Sequence, residues 1–566
     1  MFINGKAKEK NTYDAIVVGS GVSGGWAAKE LTEKGLKVLM LERGKNIEHV
    51  KDYKTALKHP WEFSHRGRIT HAQSESHPYL KRDYPYNEMT ENFWINDQEN
   101  PYSEKKRFDW FRGDIVGGKS IMWGRQSYRL SDMDFEANVK DGIAVDWPIR
   151  YKDIAPWYDY VEKFAGISGQ AENLPQLPDG QFLPPMEMNC VEKEIKKGIE
   201  AKFPNRRMTM GRVANLTKPH NGRGNCQFRN MCNRGCPFGG YFSTQASTLP
   251  AAQATGNLTL RPDSAVNSVI YDEQKQRATG VRVIDTKTGE MTEYYARILF
   301  INGSTLGTTF VLLNSISSRF PNGLGNDSMQ LGHNLMDHHF RTGASGEFPG
   351  MEDKTFFGRR PNGIYIPRYR NIGNDKRDYI RGFGYQGRAS RDSWERGVAE
   401  MGFGPNFKEA LTKPGAWKMG LGGFGECLPY YENKVTLNTA VKDKLGQPTL
   451  LFDAEFKENE MKMRKDMAND AAEMLEAAGC KNVKAYDNGS YPGMAIHEMG
   501  TARMGRDPKT SVLNGFNQMH AVPNVFVTDG ACMTSASCVN PSLTYMALTA
   551  RAADYAVKEM KKGNII

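Results

Sequence analysis

A short apolar run near the N-terminus predicts the first strand of the chain. Residues 13–18 (YDAIVV) are apolar and largely β-branched, and they lead into a glycine-rich turn at residues 19–24. A helical stretch at residues 25–34 follows and ends at Gly35, and residues 37–42 form a second apolar run. The order strand, glycine turn, helix and strand predicts a βαβ unit.

Later segments repeat these patterns. Alternating or continuous apolar positions predict strands at 258–270, 279–285 and 297–303. Residues 340–455 hold several alternating segments typical of an antiparallel sheet, and residues 458–479 predict an amphipathic helix that ends at a glycine. Residues 525–562 again show strand, turn and long helix. Segments with the strand, turn and helix order of a nucleotide-binding unit occur near both ends of the chain. We therefore expect one domain assembled from segments that are distant in sequence.

The turn at residues 19–24 (GSGVSG) has the spacing of a dinucleotide-binding loop. Gly19 permits a tight turn, Gly21 lets a pyrophosphate approach the backbone, and Gly24 lets the helix pack closely on the strand. The helix N-terminus offers amide donors to a phosphate. Glu42, which ends the second strand, is placed to accept a hydrogen bond from a ribose hydroxyl. A structural turn without a ligand is the alternative, but the flanking elements favour a dinucleotide site.

Composition excludes several classes of protein. The 566 residues carry a net charge of +10, but the basic residues are dispersed, so we expect no nucleic-acid partner. The mean hydropathy of −0.60 and the lack of an apolar run near 18 residues argue against a membrane span. Because the N-terminal residues lack the basic region and apolar stretch of a secretory signal, we expect no export signal in this chain.

Motifs along the whole chain resemble the glucose–methanol–choline (GMC) family of flavoprotein oxidoreductases. In chain order they are GDIVGGKSIMWG at 113–124, GHNLMDH at 332–338, HEMGTARMG at 497–505, Asp529–Gly530 and CVNPSLT at 538–544. The resemblance implies an α/β fold of two lobes. A Rossmann-like FAD-binding domain is interleaved with a substrate-binding domain built on an antiparallel sheet, and alcohol oxidation is the implied activity.

The resemblance also implies how the chain divides between the two domains. The FAD-binding domain is expected to comprise residues 10–48, 110–130, 256–338 and 490–560. The substrate-binding domain is expected to comprise residues 49–109, 131–255 and 339–489, and to contain a cysteine cluster at residues 226–236.

Particular residues are implied to hold the cofactor. Those on the ADP half are Gly19, Gly21, Gly24 and Glu42. Those near the flavin, the ribityl chain and the pyrophosphate are Gly117, Gly118, Ser120, Trp123, Asp529, Gly530, Asn540 and Pro541. Met122 appears at the position where pyranose oxidases carry a histidine that links their flavin covalently. We therefore expect FAD to be bound without a covalent link.

Two polar residues match the catalytic positions of the family. His497 matches the catalytic histidine, and Asn540 matches a position occupied by histidine or asparagine. A neutral imidazole can take the alcohol proton, and an amide donor can hold the developing alkoxide while hydride leaves for the flavin. Taken alone, they would be a structural histidine and a turn residue. His333, His338 and His339 are interpreted as a structural loop beside the cofactor, without a catalytic role.

Three of the eight cysteines are clustered. Cys226, Cys232 and Cys236 lie in a loop rich in glycine and asparagine, and a proline follows the last of them, as in iron–sulfur motifs. Zinc with His220 as a fourth ligand, a disulfide and a plain loop are the alternatives. The spacing resembles that of the catalytic subunits of bacterial FAD-dependent glucose dehydrogenases, in which three such cysteines hold a [3Fe–4S] cluster.

Such a cluster would favour a dehydrogenase over an oxidase. The chain most resembles bacterial glucoside 3-dehydrogenases, which implies oxidation of a secondary hydroxyl of a sugar or glycoside, C3 of a glucopyranoside, to a ketone. Relatives of that kind imply a small partner subunit with an export signal and a haem electron acceptor, hence a periplasmic location by co-export, or a cytoplasmic one without a partner.

Several other functions remain open at the level of the sequence. They are a gluconate, sorbitol or glucose dehydrogenase, an oxygen-using pyranose oxidase, a non-redox flavoprotein of the hydroxynitrile lyase kind, and a subunit without activity. Glu426 is a weak candidate for lining the substrate pocket, and a residue at the end of a strand is the alternative.

Overall fold

A computed structural model describes residues 10–356, 358–392 and 402–565 of the chain. Part of the chain lies outside the described residues. It includes residues 1–9, at which no export signal is expected, and residues 357 and 393–401 of the predicted substrate-binding segment 339–489.

The first sheet combines strands from both ends of the chain. Its strands are β1 (Thr12–Val18), β2 (Val38–Leu41), β5 (Leu258–Arg261), β6 (Ser264–Asp272), β7 (Arg277–Asp285), β8 (Met291–Ile301) and β16 (Val525–Phe526). The order is β5-β2-β1-β8-β7-β6, and β16 pairs with β8. The pairs among β5, β2, β1, β8 and β16 are parallel, and β6, β7 and β8 are antiparallel. The predicted βαβ unit therefore forms the centre of this sheet.

Helices cover the first sheet. They are α1 (Val22–Glu33), α5 (Tyr151–Ala165), α7 (Thr248–Ala254), α8 (Thr305–Leu313) and α11 (Ser542–Lys561). Ala27 and Ala28 of α1 share a buried cluster with Ala552 and Ala553 of α11, because these small side chains let the two helices approach closely. The N-terminal and C-terminal ends of the chain therefore form one core.

The second sheet is antiparallel. It has the order β15-β9-β12-β11-β10-β4 and consists of β4 (Thr209–Met210), β9 (His339–Glu347), β10 (Ile364–Ile366), β11 (Phe383–Arg391), β12 (Trp417–Gly425) and β15 (Lys481–Asp487). The amphipathic helix α10 (Glu458–Ala477) packs on it, and its Met463, Met467 and Met474 are fully buried. A third sheet pairs β13 (Lys434–Lys442), β14 (Pro448–Asp453) and the short β3 (Ser103–Glu104).

The remaining helices are short or lie outside the two main layers. They are α2 (His71–Ser76), α3 (Asp132–Phe135), α4 (Ala137–Asp141), α6 (Cys190–Lys202) and α9 (Pro405–Thr412). None of the helices in the described ranges combines the length and apolar character needed to cross a bilayer.

The predicted fold class, α/β with a second, antiparallel sheet, is confirmed. The predicted domain boundaries stay a prediction, and one packing detail bears on them. Helices α5 and α7 come from segment 131–255, which was assigned to the substrate-binding domain. However, both contact α1 of the first layer. Lys29 of α1 donates to the Tyr160 hydroxyl of α5 (2.8 Å), and Leu249 of α7 is part of the same buried cluster as α1. Parts of that segment therefore pack on the nucleotide-type layer.

Candidate active site

The turn between β1 and α1 is as tight as the glycine spacing predicts. Gly19 has a φ of +88°, and a Cβ built on it would come within 2.3 Å of the Asn302 carbonyl oxygen. A Cβ on Gly24 would lie 1.9 Å from the Gly19 carbonyl oxygen, so only glycine lets α1 start this close to the strand. A Cβ on Gly21 would meet nothing within 4 Å, because this residue faces a cavity.

That cavity has a volume of about 850 Å³ and extends from the glycine turn to the second sheet. Of the residues predicted to bind FAD or to catalyse the reaction, those that line it are Gly19, Gly21, Glu42, Gly118, Ser120, Met122, Trp123, His497, Asp529, Gly530 and Asn540. Gly24, Gly117 and Pro541 lie outside the lining. Gly24 and Gly117 instead allow close packing, since a Cβ on Gly117 would collide with the Gln245 side chain at 2.1 Å.

Glu42 lies at the end of β2, where its carboxylate braces the glycine turn. Its Oε2 accepts from the Ser20 backbone N–H (3.0 Å) and from the Ser20 hydroxyl, and its Oε1 accepts from the Gly44 N–H (2.9 Å). Burial raises the pKa of Glu42 above its ordinary value. The carboxylate lines the cavity, and its predicted contact with a ribose stays a prediction.

The second glycine turn meets the first. Gly117 N–H donates to the Ser20 hydroxyl (2.7 Å), and a Cβ on Gly118 would lie 3.6 Å from the Gly21 Cα. Ser120 donates to the Gly117 carbonyl (2.6 Å), which holds the turn closed. Both turns therefore border the same stretch of the cavity.

The described cavity wall carries polar atoms that have no protein partner. Asn302 Nδ2, Glu498 Oε1 and the Tyr545 hydroxyl are buried and unpaired, and all three residues line the cavity. Buried polar atoms are ordinarily paired, so these atoms indicate a polar ligand. Asp529 also lines this region, where its Oδ1 accepts from the Ala531 N–H (3.0 Å) and burial raises its pKa to about 7. The size, the glycine cradle and the unpaired groups fit FAD.

The glycine turn offers a matched test of this fit. In Gly19→Ala the new Cβ meets the Asn302 carbonyl and φ stays positive, so we expect a loss of stability of about 1–3 kcal/mol or more. In Gly21→Ala the Cβ enters only the cavity, so stability should change by less than about 0.5 kcal/mol while flavin is lost. Thermal unfolding and bound-flavin absorbance of both variants check this. Equal stability losses would contradict it.

The two predicted catalytic residues lie together at the far end of the cavity. Asn540 Nδ2 is 3.4 Å from His497 Nε2. Gln386 of β11 donates from Nε2 to Asn540 Oδ1 (2.6 Å), which turns the amide N–H₂ of Asn540 toward His497. The second sheet therefore orients a residue that is supplied by the C-terminal segment.

A second histidine fixes the tautomer of His497. His338 Nε2 lies 2.8 Å from the Ser537 carbonyl oxygen, which can only accept, so Nε2 carries the proton. Burial lowers the pKa of His338 to about 4, so its ring is neutral and its Nδ1 is an acceptor. His497 Nδ1, 2.9 Å away, must therefore donate, which leaves a lone pair on His497 Nε2.

The surroundings keep His497 unprotonated. Burial lowers its pKa well below 6.5, and the nearby His338 and Lys119 lower it further. The backbone N–H of His497 donates to Asp337 Oδ1 (3.0 Å), and the Ala495 N–H donates to Asp337 Oδ2 (3.0 Å). Burial, followed by the charge of Glu498, raises the pKa of Asp337 to about 8.

Sequence reasoning left Asp337 and Gln386 out of the site and interpreted His338 as part of a structural loop beside the cofactor. Asp337 and His338 belong to the GHNLMDH motif, so the motif itself was the available signal. Gln386 lies in a strand without any motif. Glu426, the weak pocket candidate, lies outside the lining and is 1% exposed, and its Oε1 pairs with Arg381 (3.2 Å).

The three clustered cysteines line one small cavity of about 20 Å³. Cys226 Sγ accepts from the Phe228 N–H (3.4 Å), and Cys236 Sγ accepts from the Gly240 N–H (3.3 Å). Burial raises the pKa of Cys226 to about 11. Cys232 also lines the large cavity, so it stands between the two.

The structure bears on the alternative roles of these cysteines, which are a disulfide and a zinc site. All eight cysteines are free, so a disulfide is not supported. His220, the proposed fourth zinc ligand, is absent from the lining of the small cavity that the three cysteines share, and its Nε2 contacts the Lys163 carbonyl oxygen (2.7 Å). Within the described ranges, no group of three or more His, Cys, Asp or Glu side chains is arranged to hold a metal ion. The predicted [3Fe–4S] cluster stays a prediction.

Family comparisons decide the kind of protein to which this site belongs. A family model described as GMC oxidoreductase matches residues 13–340, and a second with that description matches residues 429–549. The chain belongs to the GMC oxidoreductase family. This GMC oxidoreductase is accordingly a FAD-dependent enzyme that acts on CH–OH groups, as the resemblance implied.

Similar proteins cover nearly the whole GMC oxidoreductase. The 2-methyl-1,2-propanediol dehydrogenase of Mycolicibacterium austroafricanum is 29% identical, over 96% of this chain and 94% of that protein. The fructose dehydrogenase large subunit of Gluconobacter japonicus is 25% identical, over 98% of this chain and 100% of that protein. The crystal structure of pyridoxine 4-oxidase from Mesorbium loti shares the fold, with a TM-score of 0.60 at 15% identity over 96% of this chain and 99% of that one.

Proposed function

We propose that this GMC oxidoreductase is a dehydrogenase that oxidises a secondary hydroxyl of a sugar or glycoside, C3 of a glucopyranoside, to a ketone. One observation carries the proposal: the lone pair of His497 Nε2 and the amide of Asn540 meet at 3.4 Å on the wall of a cavity that also offers a flavin-sized cradle. The likeness to a fructose dehydrogenase subunit supports a sugar as the substrate.

The residues of the chain divide the work of this reaction between them. His497 Nε2 accepts the proton of the hydroxyl, because its other nitrogen is committed to His338. Asn540 donates its amide N–H to the same oxygen and holds the negative charge that develops there, while Gln386 keeps the amide turned toward it. When bound, FAD supplies the acceptor for the hydride. Met122 offers no nucleophile for a covalent link, so FAD would be held by contacts alone.

Aromatic side chains shape the substrate end of the cavity. Phe340 stacks with Phe424 (ring centroids 5.4 Å apart), and Tyr84 meets Phe340 edge to face at 6.0 Å. Trp123 also lines the cavity and donates from its ring N–H to the Phe242 carbonyl (2.8 Å). Rigid apolar faces beside amide groups suit the mixed surface of a sugar ring.

Anaerobic mixing of the holoenzyme with sugars tests the proposal. We expect methyl glucosides to bleach the flavin absorbance near about 450 nm and NMR to identify a ring ketone as the product. Turnover should be faster with an artificial one-electron acceptor than with oxygen. A flavin that stays oxidised with every sugar offered would refute the proposal, and oxygen as the better acceptor would make the enzyme an oxidase.

We further propose that Cys226, Cys232 and Cys236 hold a [3Fe–4S] cluster. Three thiols on one cavity, with backbone N–H groups directed at two of the sulfurs, suit an iron–sulfur site. Cys232 also lines the large cavity, which supports electron transfer between flavin and cluster. A cluster there would supply one-electron transfer to an external carrier.

Iron analysis separates this proposal from a plain loop. Cys232→Ser should lower bound iron and sulfide and remove the EPR signal of the oxidised protein, because serine is a poor cluster ligand. Cys480→Ser, a change in a cysteine buried among the side chains of the second sheet, should leave the iron content unchanged. Iron-free wild-type protein, prepared without exposure to oxygen, would contradict the cluster.

Partner subunits belong to the same proposal. The name of the Gluconobacter relative describes a large subunit, which supports an assembly with a smaller one. We propose a small partner that carries the export signal, a haem protein as electron acceptor, and a location in the bacterial periplasm, with the cytoplasm as the location if no partner exists. The tagged chain can be purified from the periplasmic and cytoplasmic fractions of its native cells. A periplasmic chain with a co-purifying small subunit would support the first location, and a cytoplasmic chain without one would support the second.

A further inference from the structure

Two arginines of the large cavity, the buried Arg125 and the exposed Arg388, have no acidic partner among the described residues. Arg125 is 7% exposed, lines the cavity, and makes no ion pair within the described part of the chain. Its Nη1 donates to the Trp123 carbonyl, and its Nε is buried without a partner. Burial of a guanidinium without a counter-ion is costly, so this charge favours an anion beside it, in the large cavity or at the neighbouring cysteines.

The backbone conformation of Arg125 indicates that its side chain has a function. The residue has a φ of +62°, in the left-handed region that favours glycine. Strained backbone of this kind persists where the surroundings hold a side chain in a required place. The guanidinium lies over the ring of Tyr241, 5.4 Å from its centroid, and Tyr241 lines the small cavity of the three cysteines, so Arg125 stands between the two cavities.

A short arc of side chains links Arg125 to the second arginine, Arg388. Gln126 Nε2 donates to Asn362 Oδ1 (3.2 Å), and the neighbouring Gly363 lies so close to Arg388 that a Cβ there would be 2.9 Å from the Arg388 Cβ. On β11, Arg388 is two residues from Gln386 and so shares its face of the sheet. All but the glycine line the cavity, so two guanidinium groups flank two amides.

The carboxylates of the cavity wall belong to other parts of the cavity than the arc between Arg125 and Arg388. The acids that line the cavity in the described chain are Glu42, Asp443, Glu498 and Asp529. Glu42 braces the glycine turn, Asp443 faces Arg43 (3.7 Å), and Glu498 faces Lys119 (3.6 Å). The arc therefore presents positive charge and hydrogen-bonding amides, a combination that repels cationic substrates and attracts anionic ones.

We propose that the substrate carries an anionic group, a carboxylate or phosphate, on a polyhydroxylated ring, and that Arg125 and Arg388 bind this group while Gln126 and Asn362 contact hydroxyls. The planar fork of arginine matches both anions with paired hydrogen bonds. The inference deepens the proposed function and rests on it for the oxidised hydroxyl, but not for the binding of the anion.

Binding is measured on His497→Ala holoenzyme, in which turnover is suppressed. Calorimetric titration compares methyl glucopyranoside with its uronate, which differs only in a carboxylate, and with its phosphorylated counterpart. We expect at least one anion to bind about tenfold or more tightly than the neutral glycoside, and added salt to reduce the difference. Arg125→Gln and Arg388→Gln, each introduced into the same background, should remove most of that preference. Arg282→Gln, a change on β7 outside the lining, should retain it.

The outcomes separate the two proposals. Equal or tighter binding of the neutral glycoside, or an anion preference that survives both arginine changes, would overturn the inference. It would also be overturned if Arg125→Gln alters the thiol reactivity of the neighbouring Cys226 without changing the preference. Tight, arginine-dependent binding of an anion that never bleaches the wild-type flavin would support the inference while the proposed oxidation fails.

Discussion

His497→Ala lowers the rate of flavin reduction by alcohol substrates about 10²–10⁴-fold, which is the range that a positioned general base contributes. The effect should fall on the reductive step, because the lone pair of His497 Nε2 is the proton acceptor that stands beside Asn540 in the cavity. Stopped-flow absorbance under anaerobic conditions measures that step directly.

A second histidine provides the matched control. His333 stacks on Tyr431 (ring centroids 4.0 Å apart), bonds to the carbonyl of that residue and lies outside the lining of the cavity. His333→Ala should retain the rate of flavin reduction. Bound flavin should be equal in both variants. Comparable rates in the two variants would show that His497 is not the base.

The pH dependence follows from the burial of His497. Its pKa lies below the ordinary value of 6.5, and only the unprotonated ring accepts a proton. The value of kcat/KM should therefore stay level from neutral pH down to below pH 6.5 and fall only at more acidic pH. An acid limb above pH 6.5 would contradict the surroundings described for this ring.

His338→Leu reduces the same rate about tenfold to hundredfold, although His338 lies outside the lining of the cavity. Leucine offers no acceptor to His497 Nδ1–H, so the ring of His497 loses both its fixed orientation and its preference for the reactive tautomer. His338 is thus a positioning residue, and the expected loss is in kcat with little change in KM.

Conservative and charged replacements distinguish positioning from packing. His338→Asn supplies an oxygen for His497 and an amide N–H for the Ser537 carbonyl, so it should recover most of the rate. His338→Asp adds a negative charge and should raise the pKa of His497, which moves the acid limb to higher pH. His339→Leu, a change in an equally buried neighbour outside the lining, should leave the limb in place. An unmoved limb in His338→Asp, or a rate in His338→Asn as low as in His338→Leu, would leave His338 only a packing role.

Local patterns in the sequence predicted most of the fold. The run at residues 13–18 and the glycines after it are neighbours in the chain, so their spacing alone determined strand, turn and helix. The helix predicted at 458–479 forms as α10, because its apolar positions repeat with the helical period. The packing of α5 on α1 was not legible, because its contacts, such as Lys29 with Tyr160, join residues 131 positions apart.

The candidate active site was also predictable only in part from local sequence patterns. His497 and Asn540 belong to recognisable motifs, whereas the roles of their supports depend on distant pairings. His338 reaches His497 across 159 positions, and Gln386 reaches Asn540 across 154. The isolated motif around His338 shows no sign of either contact, so it was interpreted as a structural loop. Nor did the sequence indicate that Arg125 lacks an ion pair, because only the fold shows which of the described carboxylates lie near it.

The position of β16 has a consequence for biosynthesis. β8 pairs with β1 from the beginning of the chain and with β16 from its end, and α11, which follows β16, covers the alanine face of α1. A nascent chain on the ribosome therefore holds α1 with an exposed apolar face until α11 (Ser542–Lys561) has emerged. Closure over so long a separation is slow and favours capture by chaperones. Because Asp529 and Gly530 line the flavin cradle together with Gly19 and Gly21, we expect the cofactor to bind only after the segment that carries β16 has emerged and paired.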